Sequence, residues 1–111
     1  MAEQNDPLAE RAARFRQMPP QLVANVRLYE TEKGGRQQAA LPGWGCPCMT
    51  TQQTLLGYDG WPILEEPLCP GDERDGVAFV FLTREGGEVM RHAGHFYLWE
   101  GRFIGEATVI E

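Results

Sequence analysis

Cys46-Pro47-Cys48, Cys69, His92 and His95 supply thiols and imidazoles of the kind that zinc takes four at a time. Their spacing argues against a metal. A Cys-x-Cys step is tighter than the usual knuckle of two to four intervening residues, and Gly94 divides the two histidines between different local environments. A metal or redox protein built on these five residues is therefore an alternative reading, and the default is cysteines buried as small apolar residues with histidines at the surface. A Cys46–Cys48 disulfide would close a strained ring. Glu65, Glu66, Asp72, Glu73 and Asp75 fall in turn-rich sequence with no histidine near them in the chain. They read as solvated loop charge, because a catalytic acid–base pair needs burial that this stretch does not offer. No enzyme and no cofactor are expected.

The aromatic residues Trp44, Tyr58, Trp61, Tyr97 and Trp99 offer a different chemistry, that of recognition. If Phe96 and Leu98 point into a core, strand alternation turns Tyr97 and Trp99 outward, beside Glu100. An exposed aromatic patch on an acidic body has the composition of a protein-binding surface. The competing expectation is that an amino-terminal helix covers the same patch.

The elements that must position these residues follow from length and pattern. At 111 residues there is room for one domain with a real core, and 13 glycines and 8 prolines imply many turns and few helices. The net charge of −6 disfavours nucleic acid and anionic membranes and suits a basic partner. Three cysteines cannot all pair, no basic segment leads into an apolar run near Met1, and no 18 consecutive residues are apolar, so a cytoplasmic protein is expected.

Asp6-Pro7 is a helix start, with Leu8, Ala12 and Phe15 at helical spacing and Pro19-Pro20 ending the segment. Residues 1–21 thus form a helix and linker whose narrow apolar stripe docks on the chain's own barrel or on a partner. Residues 22–111 form the barrel. Alternation predicts a strand over Leu22–Tyr29, then a polar loop through Gly34-Gly35-Arg36 and an irregular region over Leu41–Met49. Short strands are predicted at Thr50–Leu56 and Trp61–Glu66 about an Asp59-Gly60 turn, followed by a turn at Pro70-Gly71-Asp72. A strand over Val77–Thr83 is apolar on both faces, and Gly86-Gly87 is a turn leading into Glu88–His92. The chain ends in a hairpin about Glu100-Gly101, with Phe103, Ala107 and Val109 sharing a face with Gly105.

The succession Val26-Arg27-Leu28-Tyr29-Glu30, Glu32-Lys33-Gly34-Gly35-Arg36, Gly43-Trp44, Pro70-Gly71-Asp72 and the final hairpin resembles the carboxyl-terminal barrel domain, domain III, of elongation factor Tu. The resemblance covers about Leu22 to Glu111. It implies a closed, antiparallel, six-stranded Greek-key barrel with a short amino-terminal helix added, within the translation protein superfamily. In that family the domain packs on a GTPase domain and helps hold the T stem of aminoacyl-tRNA. This sequence has no phosphate-binding Gly-x-x-x-x-Gly-Lys-Ser/Thr loop. It carries Gly45-Cys46-Pro47 where the family has arginine, proline and glutamine, Thr51-Gln52-Gln53 where the family shows an Arg-Thr-Thr stretch, and Trp99 where an arginine precedes the final Glu-Gly.

The resemblance also places Trp44 near the outward aromatics, giving Trp44, Tyr97, Trp99 and Glu100 as the expected protein-binding set. The leading expectation is a non-enzymatic protein-binding module, either mimicking the factor's domain toward a translation partner or neutralising a basic partner as an immunity protein does. The alternative from the family is structured, tRNA-like RNA bound through Arg27, Arg36 and Arg102. The loop Gly34-Gly35-Arg36 reads as structural, with its arginine paired to a carboxylate of the barrel.

Overall fold

The computed structural model describes residues 6–111, so residues 1–5 of the expected helix-and-linker segment lie outside the described residues. Helix α1 spans Pro7–Phe15, where the Asp6 carboxylate accepts a hydrogen bond of 3.0 Å from the Leu8 N–H and Pro7 occupies the first turn. The strands are β1 (Leu22–Leu28), β2 (Cys46–Met49), β3 (Tyr58–Pro62), β4 (Glu73–Phe81), β5 (His95–Trp99) and β6 (Phe103–Val109), with helix α2 (Arg84–Ala93) between β4 and β5. Every pairing is antiparallel. The barrel closes in the order β1-β4-β3-β2-β5-β6, with β6 returning to β1. The chain is thus an all-β closed six-stranded barrel with a short helix at its amino-terminal side.

The period of two divides each long strand between core and surface. In β1, Leu22, Ala24, Val26 and Leu28 are buried while Arg27 is exposed. Phe79 and Phe96 meet edge to face at 5.3 Å, and Phe81 stacks on Phe79 at 5.9 Å. Leu28, Leu64, Leu98 and Ile104 pack into the same core. Aromatic contacts of this geometry add to the burial of their area.

Several expectations need correction. Gly86-Gly87 is not a turn: it lies with Glu88–His92 in α2, which Thr83 caps by accepting 3.0 Å from the Gly86 N–H. The two glycines are there for clearance. A Cβ on Gly86 would lie 2.9 Å from the Tyr58 Cβ, and one on Gly87 2.5 Å from the Gln21 amide nitrogen. They let α2 lie close against the barrel and send Met90 into its core. Secondly, Asp59-Gly60 is strand and not turn, because a Cβ on Gly60 would meet the Phe81 ring at 2.7 Å and Cys48 Sγ at 3.0 Å. The strand expected at Thr50–Leu56 is a loop, and Leu41–Met49, expected to be irregular, contains β2. Of Trp61–Glu66, only the first two residues belong to β3. Thirdly, a bulge between Leu98 and Trp99 shifts the register of the last hairpin. Ile104 turns inward with Gly105 and Ala107, and Phe103 turns outward onto Tyr97.

Helix α1 docks on its own barrel. Phe15 packs on Trp61 of β3 with ring centroids 5.1 Å apart, and the Leu8 backbone sits on Gly43. Trp61 stands opposite Val80, which is buried on the other face of β4 from Phe79 and Phe81. Strand β2 separates this contact from β5 and its outward Tyr97 and Trp99.

Gly60→Val is expected to destabilise the fold by about 3 kcal/mol, since the added branch must displace Phe81 from a full core. Gly101→Ala, in an open turn with φ +76°, is expected to cost only about 1 kcal/mol. Urea denaturation followed by circular dichroism reads both, and equal losses would contradict the clearance role of Gly60.

Candidate binding face

Two groups of polar side chains are organised on the barrel surface. The first ties the glycine-rich loop to the last hairpin. Arg36 Nη1 donates to Glu100 Oε2 at 2.7 Å, Trp44 Nε1 donates to the same oxygen at 2.8 Å, and the Arg36 guanidinium stands 5.0 Å from the centre of the Trp44 ring. Arg36 Nε also donates to the Gln38 carbonyl at 3.1 Å. Arg102 donates to the carbonyls of Gly34 and Gly35 at 2.8 and 3.2 Å. Gly35 is packed so tightly that a Cβ would fall 2.0 Å from the Tyr29 carbonyl oxygen. Arg36 therefore has the carboxylate partner that its loop suggested, and Trp44 and Glu100 are bonded to one another. Of the expected binding set, Tyr97 and Trp99 remain half-buried on the outer side of β5, as alternation requires.

The second group spans four strands. Tyr97 of β5, Glu106 of β6, Arg27 of β1 and Glu73 of β4 stand directly opposite one another across the sheet. The Tyr29 hydroxyl donates to Glu106 Oε1 at 2.7 Å, and Arg27 Nη2 lies 3.2 Å from the same oxygen. His95 Nε2 approaches the other oxygen at 3.5 Å, while its Nδ1 shares a 2.9 Å hydrogen bond with the Thr108 hydroxyl. Tyr97 packs edge to face between His95 and Phe103. Arg27 also lies over the Tyr29 ring at 5.2 Å.

Burial pushes the Glu106 carboxyl up, but hydrogen bonds from Tyr29 and Arg27 and the nearby positive charge outweigh it and hold the carboxyl below the usual value. Tyr29 moves the other way. Burial first, then its bond to the Glu106 carboxylate, raise the phenol far above its ordinary value, so it stays a donor. An open cleft of about 280 Å³ beside Arg27 is bordered by three carboxylates, Glu73, Asp75 and Glu106, together with Asn25 and Thr108. One arginine against three acids leaves this part of the face negative.

The Cys/His set is not assembled. Cys46 and Cys48 both point into the core from β2, whereas Cys69 and His92 are exposed and His95 belongs to the Glu106 network. The neighbouring Cys46 side chain, through hydrogen bonding, and then burial hold the Cys48 thiol well above its ordinary value, so it remains protonated. Among the described residues no three His, Cys, Asp or Glu side chains come together to hold a metal ion. Glu65, Glu66, Asp72, Glu73 and Asp75 are all exposed.

Tyr29, Phe103 and Glu106 did not stand out in the sequence as site residues. Glu106 was the one available signal, a lone carboxylate in an otherwise uncharged strand, but its partners are set by cross-strand register, which spacing along the chain does not reveal. No family model, curated protein or solved structure matches this chain. Among the described residues no helix is long and apolar enough to cross a membrane.

Glu106 contributes to stability in full above the ordinary glutamate range, and the contribution fades as pH falls through its depressed folded value. Glu106→Gln is expected to flatten the loss of urea midpoint between about pH 6 and about pH 3. Tyr29 contributes fully below its ordinary value of 10.0 and loses that contribution as pH rises through the higher folded value. Tyr29→Phe should correspondingly spare the protein part of its loss at alkaline pH. Unchanged profiles in both variants would contradict the network.

Proposed function

We propose that this chain is a non-enzymatic protein-binding module on a barrel of the elongation factor Tu domain III type, and that it binds a basic protein partner through the outer face of β5, β6, β1 and β4. The observation that carries the reading is the row Tyr97–Glu106–Arg27–Glu73, in which half-buried aromatic rings border carboxylates that outnumber the one arginine between them. What supports the barrel type is the strand order: the meander β2-β3-β4 is followed by a β5 that returns beside β2, as a Greek key requires, with α2 in the returning connection.

The arginines favour protein over RNA as the partner. Arg36 is neutralised by Glu100, Arg27 faces Glu106, and Arg102 is engaged by backbone carbonyls. A phosphate backbone would have to compete with each of these bonds on a chain of net charge −6. Of the residues the sequence suggested, Tyr97 and Trp99 stay in the proposed surface. Trp44 and Glu100 act behind it, holding the glycine-rich loop in place. Mimicry of the factor's domain and neutralisation of a basic toxin both fit a surface of this chemistry.

The partner is to be captured from the source cell's lysate and its affinity measured with purified components. Binding should weaken as salt rises, and the double reversal Glu73→Lys with Asp75→Lys, at two exposed positions, should weaken it at least ~10-fold. Recovery of tRNA in place of a protein, or an unchanged affinity in the reversed chain, would overturn the reading.

A further inference from the structure

Helix α1 holds its place on the barrel by little. Its nine residues are too few to persist as an isolated helix, and of its side chains only Ala12 is fully buried. Leu8 and Phe15 are half-buried at its two ends. Where the helix crosses Gly43 the backbones touch directly, since a Cβ there would fall 2.3 Å from the Leu8 carbonyl oxygen. Beside that contact, Ala12 and Phe15 leave an apolar gap against Pro62, Ile63 and Leu64 that is too narrow for water. Such a gap forfeits dispersion contacts on both sides. The groove is shaped for a helix, and α1 fills it incompletely. No barrel ladder includes α1, and the first backbone bond that follows it into the barrel is Gln21 N–H to the Phe79 carbonyl at 2.8 Å. Undocking can therefore leave the barrel closed.

We propose that α1 is a displaceable cover, and that in the complex its groove on β3 takes a basic, amphipathic helix of the protein partner. The resident helix shows the chemistry the groove accepts: an apolar stripe of Leu8, Ala12 and Phe15, crossing Gly43 at the Leu8 backbone, and arginines beside it. Arg11, Arg14 and Arg16 are three of the chain's ten basic residues, and the exposed Glu65 and Glu66 follow directly on Leu64 of the groove. Recognition of this kind is a helix laid in a groove, with the tethered helix competing at high effective concentration. The proposal rests on the binding-module reading for the partner's existence, but the groove itself can be tested without that partner.

The probe is a fluorescent synthetic peptide of residues 6–18 with its sequence unchanged. It is titrated against the full chain and against full-length Phe15→Ala and Leu8→Gln, each of which loosens the resident helix at one end. Binding is expected to be saturable and at least ~10-fold tighter to either variant than to the unchanged chain, weakening with salt. Amide hydrogen exchange on the unchanged chain should show α1 exchanging at least ~100-fold faster than β1 and β6. Absence of saturable binding to both variants, or α1 amides as protected as those of β1, would overturn the proposal. Neither result bears on the carboxylate face, which charge reversal at Glu73 and Asp75 tests separately.

Discussion

The pairing of β1 with β6 is the contact on which both the barrel and its candidate face depend. It brings together residues from opposite ends of the chain, so that Tyr29 bonds to Glu106 across a sequence separation of 77. Gly105 makes the approach possible, because a Cβ there would lie 2.7 Å from the Arg27 carbonyl oxygen. With β6 held off, the ladder would stay open, leaving two unpaired edges, and Glu106 would lose the two donors that hold it ionised. Closure costs the entropy of joining distant segments, and the ring of buried phenylalanines, leucines and Ile104 inside the barrel offsets that cost.

The same alternation that fills the core composes the surface. Each inward residue of β5 and β6 has an outward neighbour: Phe96 is followed by Tyr97, and Gly105 by Glu106. Positive charge is then used locally. Arg36 and Arg102 hold the loop at Gly34-Gly35 against the hairpin, and Arg74 donates to the carbonyls of Glu66 and Pro67. Carboxylates at Glu73 and Asp75 are left facing water beside Arg27. An acidic protein whose arginines serve its own loops presents net negative charge to a partner, which speeds encounter with a basic one more than it fixes affinity.

Strands with strong alternation were legible in the sequence. Leu22–Leu28, the core of Glu73–Phe81 and the last hairpin all announce themselves by apolar period, and the Asp6-Pro7 helix start is met by its cap. What misled were glycines. Gly60, Gly86 and Gly87 suggest turns, because a missing side chain usually supplies backbone freedom. Here it supplies room for Phe81, Tyr58 and Gln21, and that need exists only once distant elements have come together. The site divides the same way. Outward Tyr97 and Trp99 follow from period alone, as does the structural role of Arg36 from its loop. The network around Glu106 follows from register, and the bonding of Trp44 to Glu100 from a loop whose shape no local pattern encodes.

The measurement that bears most directly on the binding face is carboxyl footprinting of the chain, free and in complex with its partner. Labelling of each aspartate and glutamate by a carbodiimide and an amine is read by mass spectrometry. The proposed binding face predicts that a bound partner slows labelling of Glu73 and Asp75, while the exposed Glu32 on the glycine-rich loop and Glu85 and Glu88 on α2 react as before. Protection concentrated on Glu32, Glu85 or Glu88, with Glu73 and Asp75 still reactive, would place the partner elsewhere and contradict the account.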